Sequence, residues 1–239
     1  MEVDIFIPCY IDLMYPETGF NMVKVLEKLG CKVHYNQNQT CCGQPAFNAG
    51  YKQEAFKIAK KFVNDFKGNR YIVSPSASCI KMVKDSYEDF FINSSKRSDY
   101  KRIQSKAYEF SSFLTDVLNV KDVGAEFNAK ITYHDSCSAF RGMNIKNGPR
   151  ELLKHVKGLE LIEMKESETC CGFGGTFAVK MEPISSAMAD QKTINALATG
   201  ADYIVGTDSS CLMHIEGYLK KQNKEMKVMH IADVLAQGY

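Results

Sequence analysis

The cysteines of this chain are placed so that the sequence reads as one unit written twice. Cys9 is followed, after 31 intervening residues, by Cys41-Cys42, and Cys137 is followed, after 32, by Cys170-Cys171. Both doublets sit in the same setting, Thr40-Cys41-Cys42-Gly43 and Thr169-Cys170-Cys171-Gly172. A single cysteine closes each unit, Cys79 after 36 residues and Cys211 after 39. The approaches to these two also match, Tyr71-Ile72-Val73 to Ser78-Cys79 against Tyr203-Ile204-Val205 to Ser210-Cys211. Spacing and flanks agree at three separate points, so the chain is a tandem duplication with a period near 130 residues. Cys31 falls outside the pattern, with its counterpart near Leu159, and reads as a small buried hydrophobe.

Each unit alternates strands with helices. In the first, Val3 to Pro8 is a β-rich run ending at Cys9. A helix is expected from Pro16, which suits the first helical position, to Leu29, with Phe20, Val23, Leu26 and Leu29 as its apolar stripe and Gly30 just past its end. A strand follows at 31–35, a helix at 48–66, a strand at 70–74 and a helix at about 79–92. The second unit repeats the order, with strands at 130–134, 159–164 and 202–206 and helices from Pro149, over Pro183 to Ala198, and after Cys211. Such alternation implies parallel βαβ units, hence an α/β fold of two tandem Rossmann-like repeats. The expected organisation is a first cysteine-rich repeat over 1–95, a helical connector over 96–128 and a second cysteine-rich repeat over 129–239. Each of the eight repeated cysteines lies just past the carboxyl end of a strand, and in open α/β sheets those ends form the ligand-binding edge. Cys79 and Cys211 also head helices, whose dipoles favour thiolate.

Composition narrows the use of these thiols. At 239 residues and 45% hydrophobic the chain can build a core without disulfide staples, and its cysteine count is odd. The start, Met1-Glu2-Val3-Asp4, does not read as a signal peptide, and no apolar run approaches the ~18–20 residues of a membrane span, so a cytoplasmic setting with reduced thiols is expected. A net charge of +2, from 30 basic and 28 acidic residues, argues against a nucleic-acid or anionic-membrane surface. Clustered thiols in that setting point to metal or redox chemistry. Four thiolates suit tetrahedral zinc or a [4Fe–4S] cluster. Zinc ligands usually come in pairs two to four residues apart. Here the close pair is adjacent, so its side chains diverge and serve two irons more readily than one zinc ion. Gly43 and Gly172 leave room beside each doublet.

On these motifs the sequence resembles the cysteine-rich, or CCG-domain, iron–sulfur proteins, whose repeat is a Cys, a spacer of about this length, Cys-Cys-Gly, a second spacer and a closing Cys, often as Cys-x-x-Cys. The resemblance spans almost the whole chain. It is carried by Ile5-Phe6-Ile7-Pro8-Cys9-Tyr10, Cys41-Cys42-Gly43-Gln44-Pro45, Tyr133-His134-Asp135-Ser136-Cys137 and Cys170-Cys171-Gly172-Phe173-Gly174-Gly175-Thr176-Phe177. The family includes heterodisulfide reductase, glycolate oxidase and lactate utilization subunits. The two-repeat lactate utilization members are the most similar. The resemblance implies an iron–sulfur oxidoreductase subunit that transfers electrons during oxidation of L-lactate to pyruvate, in a complex with partner iron–sulfur and lactate utilization subunits. It also implies one or two [4Fe–4S] clusters, with Cys9, Cys41, Cys42 and Cys79 holding one and Cys137, Cys170, Cys171 and Cys211 the other. Some relatives carry zinc in one repeat.

Departures from the family pattern matter. Where the heterodisulfide reductase members close each repeat with a second cysteine, this chain has Met82 and His214. That leaves four cysteines per repeat and disfavours a disulfide-cleaving cluster enzyme, one of two rival readings. The other is a zinc-stabilised interaction module. His214 is a candidate fifth ligand or a helix-surface histidine. His134 and Asp135 could orient substrate or shuttle protons, or could simply be bonded at a strand end. Arg141 could grip a substrate carboxylate or offset thiolate charge. Ser78, Ser209, Ser210 and the backbone NH groups after the doublets are candidate donors to sulfur.

Overall fold

The computed structural model describes residues 1–238. Its two halves repeat one pattern, each around a four-stranded parallel sheet. In the first half β1 (Glu2–Ile5) leads into α1 (Cys9–Met14) and α2 (Pro16–Lys28), then β2 (Lys32–Tyr35), α3 (Gln44–Asn48), α4 (Lys52–Asp65) and β3 (Tyr71–Ser74). A helical run follows as α5 (Ala77–Lys81), a π-helical stretch (Met82–Ser86) and α6 (Tyr87–Phe91), then α7 (Arg97–Lys106) and β4 (Ala107–Glu109). The strand order is β2-β1-β3-β4.

After a helical turn, α8 (Phe110–Ser112), and a π-helical stretch (Phe113–Val117), the second half begins with β5 (Glu126–Tyr133). It continues through a π-helical stretch (Ser138–Gly142), α9 (Asn147–Lys154), β6 (Lys157–Leu161), α10 (Thr176–Lys180), α11 (Glu182–Leu197), β7 (Tyr203–Gly206), α12 (Ser209–Lys221), β8 (Lys227–His230) and α13 (Ile231–Leu235). The order is β6-β5-β7-β8, the same as in the first half. Equivalent residues pair alike: Val3 lies beside Tyr71 in the first sheet, and Ile131 beside Tyr203 in the second. The α/β duplication expected from the cysteines is therefore the architecture of the chain.

Several local expectations need correction. The helix expected at 48–66 starts only at Lys52, because Gly50 at φ +91° separates it from α3, which ends at Asn48. Phe20 is not on the buried stripe of α2 but 68% exposed. The buried face runs through Thr18, Met22, Val25 and Leu26, and Phe20 lies about 200° around the helix from Met22. Residues 96–128 contain β4 as well as helix, and β8 was equally unforeseen. Both are edge strands of three or four residues, too short for a period-two pattern to declare itself.

The halves share a core. Val3, Ile5, Met22 and Leu26 of the first pack in one apolar cluster with Ile131, Leu152, Val205 and Ile231 of the second. Cys31 is buried in this cluster, as its β-rich setting predicts. Thr18 and Asn21 of α2 donate to the carboxylate of Asp233 on α13 at 2.9 and 3.0 Å, fixing the two halves face to face. Among the described residues, no helix is long and apolar enough to cross a membrane.

Candidate metal centres

All eight repeated cysteines emerge where strands hand over to helices. Cys9 opens α1, Cys79 lies in α5, and Cys211 lies in the first turn of α12. Cys137 immediately precedes the π-helical stretch Ser138–Gly142. The doublets occupy the loops after β2 and β6. At each doublet the glycine is left-handed, with φ +83° at Gly43 and +91° at Gly172. A Cβ at Gly172 would lie 2.6 Å from the Ser185 carbonyl oxygen, so only glycine lets this loop lie against α11. The turn aims the next backbone NH back at the first sulfur of the doublet. Gly43 donates to Cys41 Sγ at 3.3 Å and Gly172 to Cys170 Sγ at 3.4 Å, two of the donors expected from sequence.

The thiols meet in two matched sets. Cys42 Sγ lies 3.2 Å from Cys79 Sγ. Hydrogen bonds from the Cys42 and Cys9 thiols hold Cys41 down to about 3, and the same sharing pushes Cys9 and Cys42 up. In the second set Cys137 and Cys171 do the same for Cys170, which falls to about 2. Cys171 in turn bonds Cys211. Thiols linked in this way cannot all ionise beside one another, so each set carries one favoured thiolate unless a bound cation offsets the rest. The donor set fits a metal ion or cluster that prefers sulfur. No cysteine is in a disulfide among the described residues.

The two sets open on one cavity of about 360 Å³ at the seam between the halves, lined by Cys9, Cys41, Cys42, Cys79, Cys137 and Cys211. Asp208 lies in its wall and ties the halves together. Its buried carboxylate accepts from Ser136 Oγ at 2.7 Å, from the Ser78 backbone NH at 3.0 Å and from Ser76 Oγ at 3.3 Å. Burial raises its pKa. Ser76 and Asp208 occupy equivalent places three residues before the closing cysteines, so this contact joins the two repeats at matching points. Aligning the repeats on their closing cysteines sets the carboxylate of Asp208 opposite the hydroxyl of Ser76, one of four differences in that segment.

The other sequence candidates are distributed around the second set. His134 is buried, and one of its ring nitrogens groups with Cys171 and Cys211, the ligand atoms lying within 4.8 Å of one another. Burial, with Lys192 nearby, lowers its pKa to about 3, so the ring is neutral. Asp135 is engaged elsewhere: its carboxylate takes two bonds of 2.8 Å from Arg150 and one of 2.8 Å from Ser167. Burial raises its pKa, but Arg150 more than offsets this and the carboxylate stays ionised. Arg141 is exposed and donates to the Glu168 carbonyl at 3.2 Å, bracing the loop before the doublet. His214 is half-buried and bonds Ser185 Oγ at 3.1 Å, while that hydroxyl donates to the Gly172 carbonyl at 2.8 Å. Met82, its counterpart in the first repeat, is buried with Cys42 and Cys79.

Two important groups were not apparent from sequence. Arg150, its side chain only 12% exposed, is the arginine that pairs with buried Asp135. Lys192, wholly buried on α11, donates to the carbonyls of Glu166 and Ser167 at 2.8 and 3.0 Å, holding the approach to Cys170. Each looks like an ordinary surface charge on an amphipathic helix, and only the fold turns it inward.

Comparison with known proteins agrees with this architecture. The cysteine-rich domain model named CCG matches residues 3–84 and again 131–216. The chain belongs to the CCG cysteine-rich domain family, alongside the lactate utilization A proteins. It is 46% identical over 235 residues to lactate utilization protein A of Geobacillus kaustophilus, covering 98% of both chains. It is 43% identical over 236 residues to the protein of the same name from Bacillus subtilis, covering 98% of this chain and 99% of that one. Among solved structures, a hypothetical protein from Helicobacter pylori matches the fold with a TM-score of 0.65 at 12% identity. That match covers 100% of this chain, which spans about half (49%) of the solved one.

Proposed function

We propose that each repeat holds one [4Fe–4S] cluster, on Cys9, Cys41, Cys42 and Cys79 and on Cys137, Cys170, Cys171 and Cys211, and that the chain is an electron-transfer subunit in the oxidation of L-lactate to pyruvate. The observation that carries this reading is the pair of four-sulfur sets, alike in backbone setting and opening on one cavity. Full-length similarity to proteins named for lactate utilization supplies the pathway. That name, ending in a letter, supports partner lactate utilization subunits as the electron donor and acceptor.

The residues divide the work simply. The eight thiolates hold the clusters, which would take up and release one electron at a time. Backbone NH groups of Gly43 and Gly172 donate to sulfur and stabilise negative charge there. Arg150, Asp135, Ser167 and Lys192 hold the second doublet's loop in place. Asp208 and its serine donors keep the two sets in fixed relation across the seam.

Anaerobic purification followed by iron, sulfide and zinc analysis, and by EPR after dithionite reduction, tests the reading. Iron and sulfide in near-equal amounts, with a signal on reduction, are expected. Stoichiometric zinc without iron would overturn it.

A further inference from the structure

The two repeats differ in the wall behind their sulfurs. Phe6 and His134 are equivalent residues, each three before the first cysteine of its repeat. Their backbones make the same bond, Phe6 N to the Val73 carbonyl at 2.9 Å and His134 N to the Val205 carbonyl at 2.8 Å. Both side chains are buried, Phe6 in the cluster that includes Cys42 and Cys79, His134 beside the corresponding Cys171 and Cys211. A second pair changes with them. Gly43 faces Ala55 and Ile58 where Gly172 faces Ser185 and Met188, which sets α4 against α11 with an offset of 130 residues. On that offset Phe62 corresponds to Lys192. In the first repeat Phe6 meets Phe62 edge-on, ring centroids 4.9 Å apart. In the second, an imidazole and a buried ammonium stand in place of this aromatic pair.

The imidazole is unsatisfied by protein. Among the described residues neither Nδ1 nor Nε2 of His134 has a hydrogen-bond partner. A buried polar group left unpaired costs about 1–3 kcal/mol, so an uncompensated histidine here would be a poor replacement for phenylalanine. The Cys171 and Cys211 sulfurs, grouped with one of its ring nitrogens, can accept its N–H; the Ser167 carbonyl also stands close to the ring but does not complete a hydrogen bond with it. Resting on the cluster reading above, we propose that His134 is an N–H donor to sulfur at the second repeat's centre, and that with the Lys192 charge behind it this centre is more easily reduced than the first. Reduction adds one electron and hence negative charge to the centre. A donor and a cation on one side only stabilise that added charge in one repeat only. Electrons entering the protein one at a time would therefore reside first in the second repeat.

EPR-monitored potentiometric titration of the intact, iron-loaded protein tests this, with dithionite as reductant. His134→Phe, which copies the first repeat, should lower the higher midpoint by at least tenfold in the one-electron equilibrium, about 59 mV, and leave the lower one in place. His134→Gln keeps an N–H donor and should retain most of the wild-type value. Full iron and sulfide in His134→Phe with both midpoints unmoved overturns the inference while leaving the cluster reading intact. Wild-type protein without iron removes both. Should His134→Phe lose its second cluster, Phe6→His decides with the second repeat untouched. The lower midpoint must then rise by the same factor, and if it stays put the inference is overturned.

Discussion

Arg150→Leu tests what holds the second doublet in place. The Arg150 guanidinium makes two bonds of 2.8 Å to the two oxygens of Asp135, whose side chain is fully buried. Its remaining bonds go to Glu163, largely exposed, and to the Lys146 carbonyl. An exposed ion pair contributes about 0–1 kcal/mol, so the Glu163 contact decides little. Removing one partner of a buried pair typically costs about 3–5 kcal/mol, because the other charge is left without compensation. Asp135 keeps its bond from Ser167 Oγ, which places the expected loss near the lower end, about 3 kcal/mol. For a chain of this length that lowers the melting temperature by roughly 6–12 °C. Urea unfolding of the wild type, Arg150→Leu, Asp135→Asn and the double variant closes a thermodynamic cycle. The double variant should recover at least about 2 kcal/mol relative to additivity, since it removes the stranded charge. Metal affinity of the second repeat should fall about 10–100-fold in Arg150→Leu, because Ser167 and Asp135 brace the approach to Cys170. A single-variant loss under about 1 kcal/mol, or strict additivity, would refute the reasoning.

Three further outcomes are expected. Gly43→Ala should cost about 1–2 kcal/mol for left-handed backbone alone, and Gly172→Ala clearly more, since its Cβ would also meet the Ser185 carbonyl oxygen at 2.6 Å; equal urea midpoints for the two variants would contradict this. In metal-free protein His134 has a folded pKa near 3, below its unfolded value, so the stability it contributes is present above the unfolded pKa and is lost as pH falls towards 3. The full swing is on the order of 4–5 kcal/mol, and His134→Phe should show a flatter acid limb in melting temperature against pH; identical acid limbs would refute the neutral buried ring. Metal uptake should release protons and weaken as pH falls, because Cys9, Cys42, Cys137 and Cys171 hold their protons tightly in the free protein. Titration calorimetry in buffers of different ionisation enthalpy measures that release, and heats independent of buffer would count against it.

The sequence by itself determined that the chain is a duplication, that its halves are α/β and that eight cysteines form two sets of four. Those conclusions rest on local or periodic signals: spacing, Cys-Cys-Gly, strand-ending apolar runs and helix stripes. It also separated Cys31 from the rest, because the repeat has no cysteine opposite it. Tertiary structure alone decided which polar groups stand behind the sulfurs. Arg150 and Lys192 sit in helices that read as amphipathic surface, and burial of their charges depends on partners far along the chain, Asp135 and the 166–167 carbonyls. The short edge strands β4 and β8 escaped for a similar reason: three or four residues carry too little pattern, and their pairing with β3 and β7 is a long-range event. Asp208 belongs with them, since its place at the seam exists only once the two repeats face each other. Repetition is written along the chain, whereas the different surroundings of the two sulfur sets arise from side chains that meet only after folding.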